Sequence, residues 1–529
     1  MLMRILISDT LGADGVRLLN KQAGFEVVED TGLSNKELIA RIGRFDGLII
    51  RSGTKVTRDV IAAGKKLKVI GRAGVGTDNI DIEAASQRGV VVTNTPDANT
   101  LAAAEHTLAM LLAVCRNIPQ ADYSLKAGEW TRSRFVGRQL HGKTLGIVGF
   151  GRIGQQVAIR AQAFGMKVLA SDPYLPEEKA RECDVKLVTV DRLLKNSDFV
   201  TLHAPITDAT RGLMNAGNLR KMKKGALLIN CARGELVNEQ DLARAIQSGR
   251  LGGAAIDVFE NEPPTGSPLL KLDHVVLTPH LAASTLEAQS LVSMQIASQV
   301  IGILRGTSYE NVLNMPFTGP FSEMRPYLQL SSRVGSLSSQ ILDGRVTRME
   351  WDYTGGPDEY ADAIKTALLR GALQPVFGHE VNYVNAQRLA EDRRLKVSRV
   401  EGLAEGNSHG TIACRLVAGR KSRLVVGALV ADEWLRIIQI DGYRIDADPT
   451  GDLLFTVNKD VPGVIGRVGT LLGKAGVNIA EWRLGRDQAR KRAVTLINLD
   501  APLPPRTLSS LRRLNSIIEA HVVRLSRNE

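Results

Sequence analysis

A glycine-rich segment, GFGRIG at residues 149–154, limits what this chain can fold into more than any other feature. It follows the apolar run TLGIV and opens the helical pattern RIGQQVAIRAQAF, and a second apolar run then ends at Asp172. This order predicts a strand, a tight turn at Gly149, a phosphate approach at Gly151 and close helix packing at Gly154. A helix N-terminus binds phosphates, and a carboxylate after the second strand binds ribose hydroxyls. The segment therefore predicts a dinucleotide site, and the charge of Asp172 favours NAD over NADP.

Short apolar runs alternate with helical patterns along the first 314 residues. RILIS, FEVVE, GLIIRS, LKVIGRAG and VVVTNTP form one series, and TLGIVGFG, MKVLASD, FVTLHAP, ALLINCARG, GGAAIDVF and HVVLTPH form another. Such alternation predicts an α/β fold with two doubly wound parallel-sheet domains. A helix that ends near Arg305 is expected to return to the first series. The first domain is then discontinuous, residues 1–98 and 284–314, and a Rossmann NAD-binding domain occupies 99–283.

The remaining residues predict two further domains. MPFTGPFSEMRP is rich in proline and reads as a linker. Residues 315–447 mix helical patterns with strands such as TIACRLVAG and predict a mixed α+β intervening domain. Residues 448–529 follow the order strand, helix, strand, strand, helix, strand, which is that of a ferredoxin-like unit.

Composition excludes several classes of protein. The net charge of +12 is compatible with anionic ligands, but the lysines and arginines are dispersed, so we expect no nucleic-acid partner. The four cysteines form no C-x-x-C pair, which indicates a reducing compartment and no metal site. The N-terminus lacks the apolar core of a signal peptide, and the run LAAAEHTLAMLLAVC is too short to span a membrane and contains Glu105 and His106. We therefore expect a cytoplasmic protein without a membrane partner.

Polar residues follow three strands of the second series. Arg233 follows LLINCA, Glu262 lies in DVFENEPP, and His280 lies in TPHLAAST. Ligands of an open α/β sheet bind beyond the carboxyl ends of its strands. An arginine can hold a carboxylate, a histidine can take the proton of an alcohol as hydride leaves, and a glutamate can fix the imidazole. The set predicts oxidation of a 2-hydroxy acid or reduction of a 2-oxo acid, whereas a histidine alone would more often be structural.

In combination, GFGRIG, LHAP, NCARGELV, DVFENEPP and TPHLAAST resemble the D-isomer-specific 2-hydroxyacid dehydrogenase family. The resemblance implies that Arg233, Glu262 and His280 are catalytic. It also implies that Asp257 binds the nicotinamide carboxamide, and nothing marks Cys231 as a nucleophile. The residues expected to line NAD are Gly149, Gly151, Arg152, Ile153, Gly154, Asp172, His203, Ala204, Pro205, Cys231, Ala232, Asp257, Leu281, Ala282 and Ala283.

Two loops of the first series, RSGTKV and GRAGVGTDNID, resemble the branch of this family that acts on 3-phosphoglycerate. Backbone N–H groups of the glycine loop suit a carboxylate, and added arginines suit a phosphate, although surface ion pairs remain an alternative for them. In that branch a basic residue after a tryptophan reaches across a dimer, as Arg132 or Arg134 after Trp130 would. Some relatives have a hydroxyl residue where Val75 stands. The residues expected to bind substrate are Arg51, Ser52, Arg72, Gly74, Val75, Gly76 and Arg132.

The last segment resembles an ACT domain, a module that binds amino acids. The resemblance implies effector contacts at Asn458, Asp460 and Asn478, with L-serine as the expected effector, and a pure dimerisation module is the alternative. In the intervening domain, basic residues are weaker candidates for an anion site: Arg393, Arg394, Arg420 and Lys421.

These resemblances together imply NAD-dependent oxidation of 3-phospho-D-glycerate to 3-phosphohydroxypyruvate, the first step of L-serine biosynthesis, by a serine-inhibited homo-oligomer. Two alternatives stay open at this point. One is another D-2-hydroxyacid dehydrogenase, a glyoxylate or hydroxypyruvate reductase. The other is a non-enzymatic, NAD-sensing protein similar to a corepressor.

Overall fold

The computed structural model describes residues 2–403, 410–431, 434–487, 489 and 491–526. The chain divides into two compact units. The first comprises Met1–Thr10, Leu18–Asn94 and Ile296–Glu529, and the second comprises Leu11–Arg17 and Thr95–Gln295. These units are coarser than the four predicted domains, whose boundaries stay a prediction.

The N-terminal part of the first unit contains a five-stranded parallel sheet in the order β2-β1-β3-β4-β5. All five strands predicted for this region are confirmed. Buried aliphatic side chains on the strands, such as Leu6, Leu48 and Ile70, pack against the helices that alternate with them. In chain order the elements are β1 (Met3–Ile7), α1 (Ala13–Asn20), β2 (Phe25–Glu29), α2 (Asn35–Ile42), β3 (Gly47–Ile50), α3 (Arg58–Ala63), β4 (Val69–Arg72), α4 (Ile82–Gln87) and β5 (Val91–Asn94).

The second unit contains a seven-stranded parallel sheet in the order β12-β11-β10-β9-β6-β7-β8. Its six longer strands coincide with the predicted runs, and only the two-residue β8 was not foreseen. In chain order the elements from residue 100 onward are α5 (Thr100–Arg116), α6 (Ile118–Lys126), β6 (Thr144–Val148), α7 (Arg152–Ala163), β7 (Lys167–Ser171), α8 (Glu177–Glu182), β8 (Lys186–Leu187), α9 (Val190–Asn196), β9 (Phe199–Leu202), α10 (Ala216–Lys221), β10 (Leu227–Asn230), α11 (Glu239–Gln247), β11 (Gly253–Ile256), β12 (Val275–Leu277) and α12 (Leu286–Arg305). Two helices are divided between the units, α1 after Arg17 and α12 after Gln295.

Helix α5 is the long apolar helix expected near residue 100, and it packs most of its length into the core of the second unit. Asn99 precedes it, and Asn117 ends it in a left-handed conformation at φ 53°. Among the described residues no single helix is long and apolar enough to cross a membrane. The pair α5 and α6 passes such a test only together, with a bend of 61° between them.

The intervening region of the first unit forms a six-stranded sheet in the order β14-β13-β15-β16-β17-β18, antiparallel except between β13 and β14. Its elements are α13 (Phe321–Gln340), β13 (Arg348–Thr354), α14 (Ala361–Phe377), α15 (Ala386–Asp392), β14 (Lys396–Arg399), β15 (Thr411–Ala418), β16 (Lys421–Val430), β17 (Trp434–Ile440) and β18 (Tyr443–Ala447).

The predicted linker was wrong over its second half, because α13 begins at Phe321 and includes Pro326. A proline inside a helix removes one backbone donor, which would have bonded to the carbonyl four residues earlier. Here that residue is Ser322, in the exposed first turn, where water can take the place of the donor. The proline therefore marks an early turn of the helix rather than its absence.

The last segment confirms the ferredoxin-like order, with an antiparallel sheet arranged β20-β21-β19-β22. One sheet face shares a buried core with the intervening region, because Phe455, Leu496 and Val523 belong to the same cluster as Leu337 and Trp351. Its elements are β19 (Gly451–Lys459), α16 (Val464–Lys474), β20 (Ile479–Arg486), β21 (Arg492–Leu499), α17 (Pro505–Arg512) and β22 (Ile517–Leu525).

Helices α13 and α14 cross through a reciprocal glycine contact. A Cβ atom on Gly371 would clash with the backbone carbonyl of Ser332, and one on Gly335 would clash with that of Leu368. Both glycines are buried. The helices can therefore approach this closely only because neither carries a side chain at the crossing.

We expect Gly371→Ala to lower the melting temperature of the transition that unfolds this region. Alanine favours a helix by about 1 kcal/mol over glycine, but overpacking a buried contact costs roughly 1–3 kcal/mol, so the net change is destabilising. Gly466→Ala in α16 is the matched control, since its Cβ would meet no described heavy atom within 4 Å. Differential scanning calorimetry checks this, and equal stability of the two variants would contradict the crossing argument.

Candidate active site at the edge of the seven-stranded sheet

Three neighbouring parallel strands of the second unit end at the same level. The register pairs Asn230 of β10 with Ile256 of β11, and Ile256 with Leu277 of β12. Arg233, Glu262 and His280 lie in the three loops that follow. The sheet thus carries the three predicted catalytic residues to one edge.

His280 and Glu262 form the centre of this edge. The Nδ1 atom of His280 lies 2.9 Å from Oε2 of Glu262, and the two side chains are 45% and 41% exposed. The other carboxylate oxygen, Oε1, accepts a hydrogen bond of 3.2 Å from the backbone N–H of Phe259. Because the carboxylate engages Nδ1, the imidazole is oriented with Nε2 as the atom that can exchange a proton with a substrate.

Arg233 is held beside these residues by the loop that carries it. Its Nη1 atom donates to the carbonyl of Ala232 at 2.6 Å, and Asn230 donates from its side chain to the carbonyl of Arg233 at 2.9 Å. A Cβ atom on Gly234 would clash with the backbone of Phe259, so only glycine lets the β10 and β11 loops meet this closely. The glycine of NCARGELV therefore serves the approach of two catalytic loops.

Asp257 lies beneath the His280 loop and is fully buried. Its carboxylate accepts the backbone N–H of Leu281 at 2.7 Å, the N–H of Ala282 at 3.0 Å and the Thr278 hydroxyl at 2.6 Å. Burial acts to raise the pKa of Asp257, but hydrogen bonds from His106, Thr278 and Leu281 outweigh it and hold that pKa below its usual value. Asp257 therefore holds the His280 loop in place, and its predicted contact with the nicotinamide carboxamide stays a prediction.

His106, Cys231 and Asp257 form the cluster of described residues whose ligand atoms could hold a metal ion, since these atoms all lie within 4.8 Å of one another. Burial, followed by the charge of Asp257, raises the pKa of the Cys231 thiol to about 12. Hydrogen bonds from His106 and Thr278 to Asp257 account for the arrangement of this cluster.

The glycine fingerprint has the geometry of a dinucleotide site. Gly149, at φ +88°, leaves 2.6 Å between its hypothetical Cβ and the backbone nitrogen of Ala204, and Gly154 leaves 2.5 Å to the carbonyl of Gly149. A Cβ on Gly151 would meet no described heavy atom within 4 Å. Protein packing thus explains two of the glycines, whereas the third opens space at the N-terminus of α7, where a pyrophosphate fits.

Asp172 stands at the end of β7 beside this turn. It accepts the backbone N–H of Phe150 at 2.9 Å through Oδ2 and that of Tyr174 at 2.9 Å through Oδ1. Each oxygen keeps a lone pair for a ribose hydroxyl. The residues present therefore fit NAD. Arg152 pairs with Asp97 on the surface, and Ile153 packs against the core of the unit.

Of the remaining residues predicted to line the cofactor, His203 has a side-chain partner in the protein. The ring of His203 turns towards Thr201, with Nε2 at 3.0 Å from its hydroxyl oxygen, and burial lowers the pKa of His203 to about 4. Its neighbours and the His280 loop lie at the carboxyl edge of the sheet, and their contacts to a cofactor stay a prediction: Ala204, Pro205, Cys231, Ala232, Leu281, Ala282 and Ala283.

The predicted substrate loops belong to the first unit, after β3 and β4. Arg51 donates its backbone N–H to Asp9 at 2.6 Å, and Thr54 donates to the same oxygen at 3.1 Å. Asn79 closes the loop from the other side, because its amide donates to the carbonyls of Arg51 at 2.7 Å and Thr54 at 2.6 Å. Asp9 and Asn79 therefore fix the backbone around Ser52, and the sequence reading missed both.

The glycine loop after β4 is shaped around an arginine. A Cβ atom on Gly74 would clash with Nη1 of Arg72, and that same atom donates to the carbonyl of Ala73 at 3.3 Å. Asn94 holds the carbonyl of Val75 at 2.6 Å. Arg72 thus lies across the loop whose N–H groups, with those of Gly76, were predicted to bind a carboxylate.

Arg132, the last predicted substrate residue, belongs to the second unit. It starts a short 3₁₀ turn at Arg132–Phe135 and is exposed. Trp130 before it is 77% exposed. Arg134 lies 3.9 Å from Glu129 and stacks on Phe135.

Each predicted effector residue of the last segment has a protein partner. Asn458 is buried and donates to the carbonyl of Lys459 at 2.9 Å, Asp460 lies 3.3 Å from Nε of Arg486, and Asn478 donates to Asp500 at 2.6 Å. Their effector contacts stay a prediction.

The basic candidates of the intervening region also have protein partners. Lys421 pairs with Asp343 at 3.0 Å, and Arg393 stacks on Phe377. An anion site at these two residues, with Arg394 and Arg420, likewise stays a prediction.

His106 is the residue of this edge that sequence reasoning did not assign. Its Nε2 atom lies 3.2 Å from Oδ1 of Asp257 and 3.3 Å from the Thr278 hydroxyl. The available signal was the polar pair of Glu105 and His106 inside an otherwise apolar helix, LAAAEHTLAMLL. A polar side chain on a buried helix requires a hydrogen-bond partner, and here the partners are Asp257 and Thr278.

The chain matches two protein families. Residues 108–282 match the NAD binding domain of the D-isomer specific 2-hydroxyacid dehydrogenases. Residues 323–441 match the D-3-phosphoglycerate dehydrogenase intervening domain. The fold and the site are those of a dehydrogenase of 2-hydroxy acids, and the resemblance stated from the motifs is confirmed.

Relatives extend this match to the whole chain. The D-3-phosphoglycerate dehydrogenase of Methanocaldococcus jannaschii is 43% identical over 529 residues, which are 99% of this chain and 100% of the relative. That of Bacillus subtilis is 38% identical over 527 residues, with the same coverage. The chain therefore belongs to the D-3-phosphoglycerate dehydrogenase family.

Solved structures agree with the dehydrogenase half. The TT0316 protein of Thermus thermophilus is 37% identical, with a TM-score of 0.55, over 59% of this chain and 100% of that chain. A D-lactate dehydrogenase of Aquifex aeolicus, complexed with NAD and lactic acid, is 28% identical, with a TM-score of 0.54, over 60% of this chain and 99% of that chain.

We expect Asp9→Ala to raise KM for the oxo-acid substrate about tenfold or more, because the loop of Arg51 loses the acceptor of two N–H groups and the buried-group cost is roughly 1–3 kcal/mol. KM for NADH should stay unchanged. Asp30→Ala is the control, since Asp30 pairs with Arg41 on the surface of the same unit. Steady-state kinetics decide, and an equal rise of both KM values would show a general loss of structure instead.

Proposed function

We propose that this protein catalyses NAD-dependent oxidation of 3-phospho-D-glycerate to 3-phosphohydroxypyruvate, the first step of L-serine biosynthesis. The observation that supports it most directly is the His280–Glu262 pair at 2.9 Å, on the same sheet edge as Arg233. Relatives that match over nearly the whole chain carry the name D-3-phosphoglycerate dehydrogenase, which supports the phosphorylated substrate.

The chemistry divides among three side chains. NAD, when bound, accepts the hydride from the C2 carbon of the substrate. The Nε2 atom of His280 takes the proton of the C2 hydroxyl, and Glu262 stabilises the imidazolium through Nδ1. Arg233 holds the carboxylate and polarises the C2 oxygen, so charge that develops there is neutralised. In the reverse direction the same imidazole returns the proton.

The phosphate and carboxylate contacts come from the loops of the first unit. Arg51 and Arg72 supply fixed positive charge, and N–H groups of Gly74 to Gly76 supply donors. In a homo-oligomer, we assign Arg132 to contact with the phosphate of the substrate that is bound in a neighbouring subunit. The exposed Trp130 beside it supports a contact between subunits, since tryptophan is enriched at protein interfaces relative to the rest of the surface. The enzyme acts in the cytoplasm.

L-Serine is the proposed effector of the last segment, where it would bind Asp460 and the N-terminus of α16 in one chain and Asn478 in a neighbouring chain. Asn458 is buried and bonded to protein groups, so we place it in support of this site. A module that only assembles subunits is the competing view. The two differ in whether serine changes turnover.

Wild-type protein is expected to consume NADH rapidly with 3-phosphohydroxypyruvate, and His280→Asn should reduce kcat by about 10²–10⁴, the usual contribution of a general acid–base group. His274→Asn is the matched control, because His274 is an exposed histidine of the same unit. Absorbance at the NADH band measures both. Turnover only with glyoxylate or hydroxypyruvate would overturn the phosphorylated substrate, and binding of NADH without turnover of any 2-oxo acid would favour an NAD-sensing protein.

Asp172→Asn should shift the preference for the cofactor from NADH towards NADPH. The variant removes the charge that repels a 2′-phosphate, while an amide oxygen can still accept the N–H of Phe150. The measurement is kcat/KM with each cofactor, and an unchanged ratio would exclude Asp172 from contact with the ribose. Asp198→Asn, at the opposite end of the sheet near Thr144, is the control.

A further inference from the structure

The backbone of the catalytic histidine is in an unfavourable conformation. His280 has φ +54°, in the left-handed region that a residue other than glycine enters at a cost of roughly 1–2 kcal/mol. Its own N–H bonds to the backbone carbonyl of Asp257 at 2.8 Å. Such a conformation persists only where surrounding contacts determine it. The question is which contacts hold His280.

The strongest of them come from one carboxylate. The N–H groups of Leu281 and Ala282, the two residues after His280, each donate to a different oxygen of Asp257. The Asp257 side chain therefore fixes the backbone of the two residues that follow His280. Its position decides where the imidazole of His280 stands relative to the substrate.

A fully buried carboxylate keeps its charge only when enough donors surround it. Besides the two loop N–H groups, the donors are the hydroxyl of Thr278 and Nε2 of His106. Thr278 belongs to the same loop. His106 instead belongs to α5, a 17-residue helix whose inner face is buried in the core. It is thus the donor that ties Asp257 to the rigid part of the unit.

We propose that His106 is a positioning residue: by donating to Asp257 from helix α5, it holds the His280 loop in the conformation that proton transfer requires. Its ring is 19% exposed, and it has no role in the mechanism above. Around it stand Asp257 after β11, Cys231 after β10 and Thr278 after β12, with the ion pair of Glu105 and Arg160 on the neighbouring helix faces. The catalytic part of this inference rests on the proposed function, whereas the structural part does not.

Two variants remove the donor in different ways. His106→Leu is apolar, and His106→Asn is polar but too short to reach Asp257. His106→Gln restores an N–H at about the distance of Nε2 and is the rescue variant. His274→Leu, at an exposed histidine, is the control. If the leucine variant fails to fold, the asparagine variant gives the same comparison with a polar side chain.

The first readout is independent of the substrate. In hydrogen–deuterium exchange with mass spectrometry, the peptide that spans residues 278–285 should exchange at least about tenfold faster in His106→Leu and His106→Asn than in wild type, because the grip on Leu281 and Ala282 loosens. His106→Gln should recover most of the protection. Unchanged exchange in both loss variants overturns the inference, even if the wild-type protein turns over none of the expected substrates.

The second readout is kinetic and uses 3-phosphohydroxypyruvate. We expect kcat to fall about tenfold to a hundredfold, as for small misplacements of catalytic groups, with KM for NADH changed less than about twofold. The primary isotope effect with deuterated NADH should rise, because the chemical step becomes slower relative to product release. A higher KM for NADH at unchanged kcat would instead assign His106 to cofactor binding, and a lower melting temperature with normal kcat would reduce it to a structural residue. Either result overturns the proposal.

Discussion

The buried carboxylate of Asp257 is the interaction on which the site depends. A charge in the interior is stable only when its hydrogen bonds are satisfied together, and here the donors come from helix α5, from the end of β12 and from the loop beyond it. The charge therefore demands that three separate elements be in place at once. The His280 loop is ordered by the same carboxylate, because two of the donors are its own backbone N–H groups.

The surroundings of the site also restrict where protons can go. Burial holds the Cys231 thiol protonated, with a pKa raised to about 12, and holds the His203 ring neutral, with a pKa lowered to about 4. Hydrogen bonds keep Asp257 ionised by holding its pKa low. Each of these groups is fixed in one charge state near neutral pH, which agrees with the proposal that the half-exposed pair of His280 and Glu262 exchanges the proton with a substrate.

The fold and the shared sheet edge of the three proposed catalytic residues were predictable because both follow from local order. Apolar runs indicate strands, and residues that follow parallel strands lie at one edge of the sheet. These two rules placed Arg233, Glu262 and His280 together without any knowledge of packing. His106 and Asp9 were not predictable in this way. Their partners lie 151 and 42 residues away in sequence, and each contact exists only once the sheet has formed. The linker predicted from Pro326 was wrong because a helix tolerates a proline where the carbonyl that loses its donor can reach water. Whether water reaches that carbonyl depends on the folded structure.

The intervening region and the last segment share one buried core, so neither has a complete core of its own. Phe455 and Val523 are fully buried in the same cluster as Leu337 and Trp351, and Gln340 of α13 bonds to both backbone groups of Arg524 on the edge strand β22. Without the intervening region, the last segment would expose the sheet face that carries Phe455 and Val523, and β22 would lose both bonds to Gln340. The two regions are therefore expected to unfold together, as one cooperative unit.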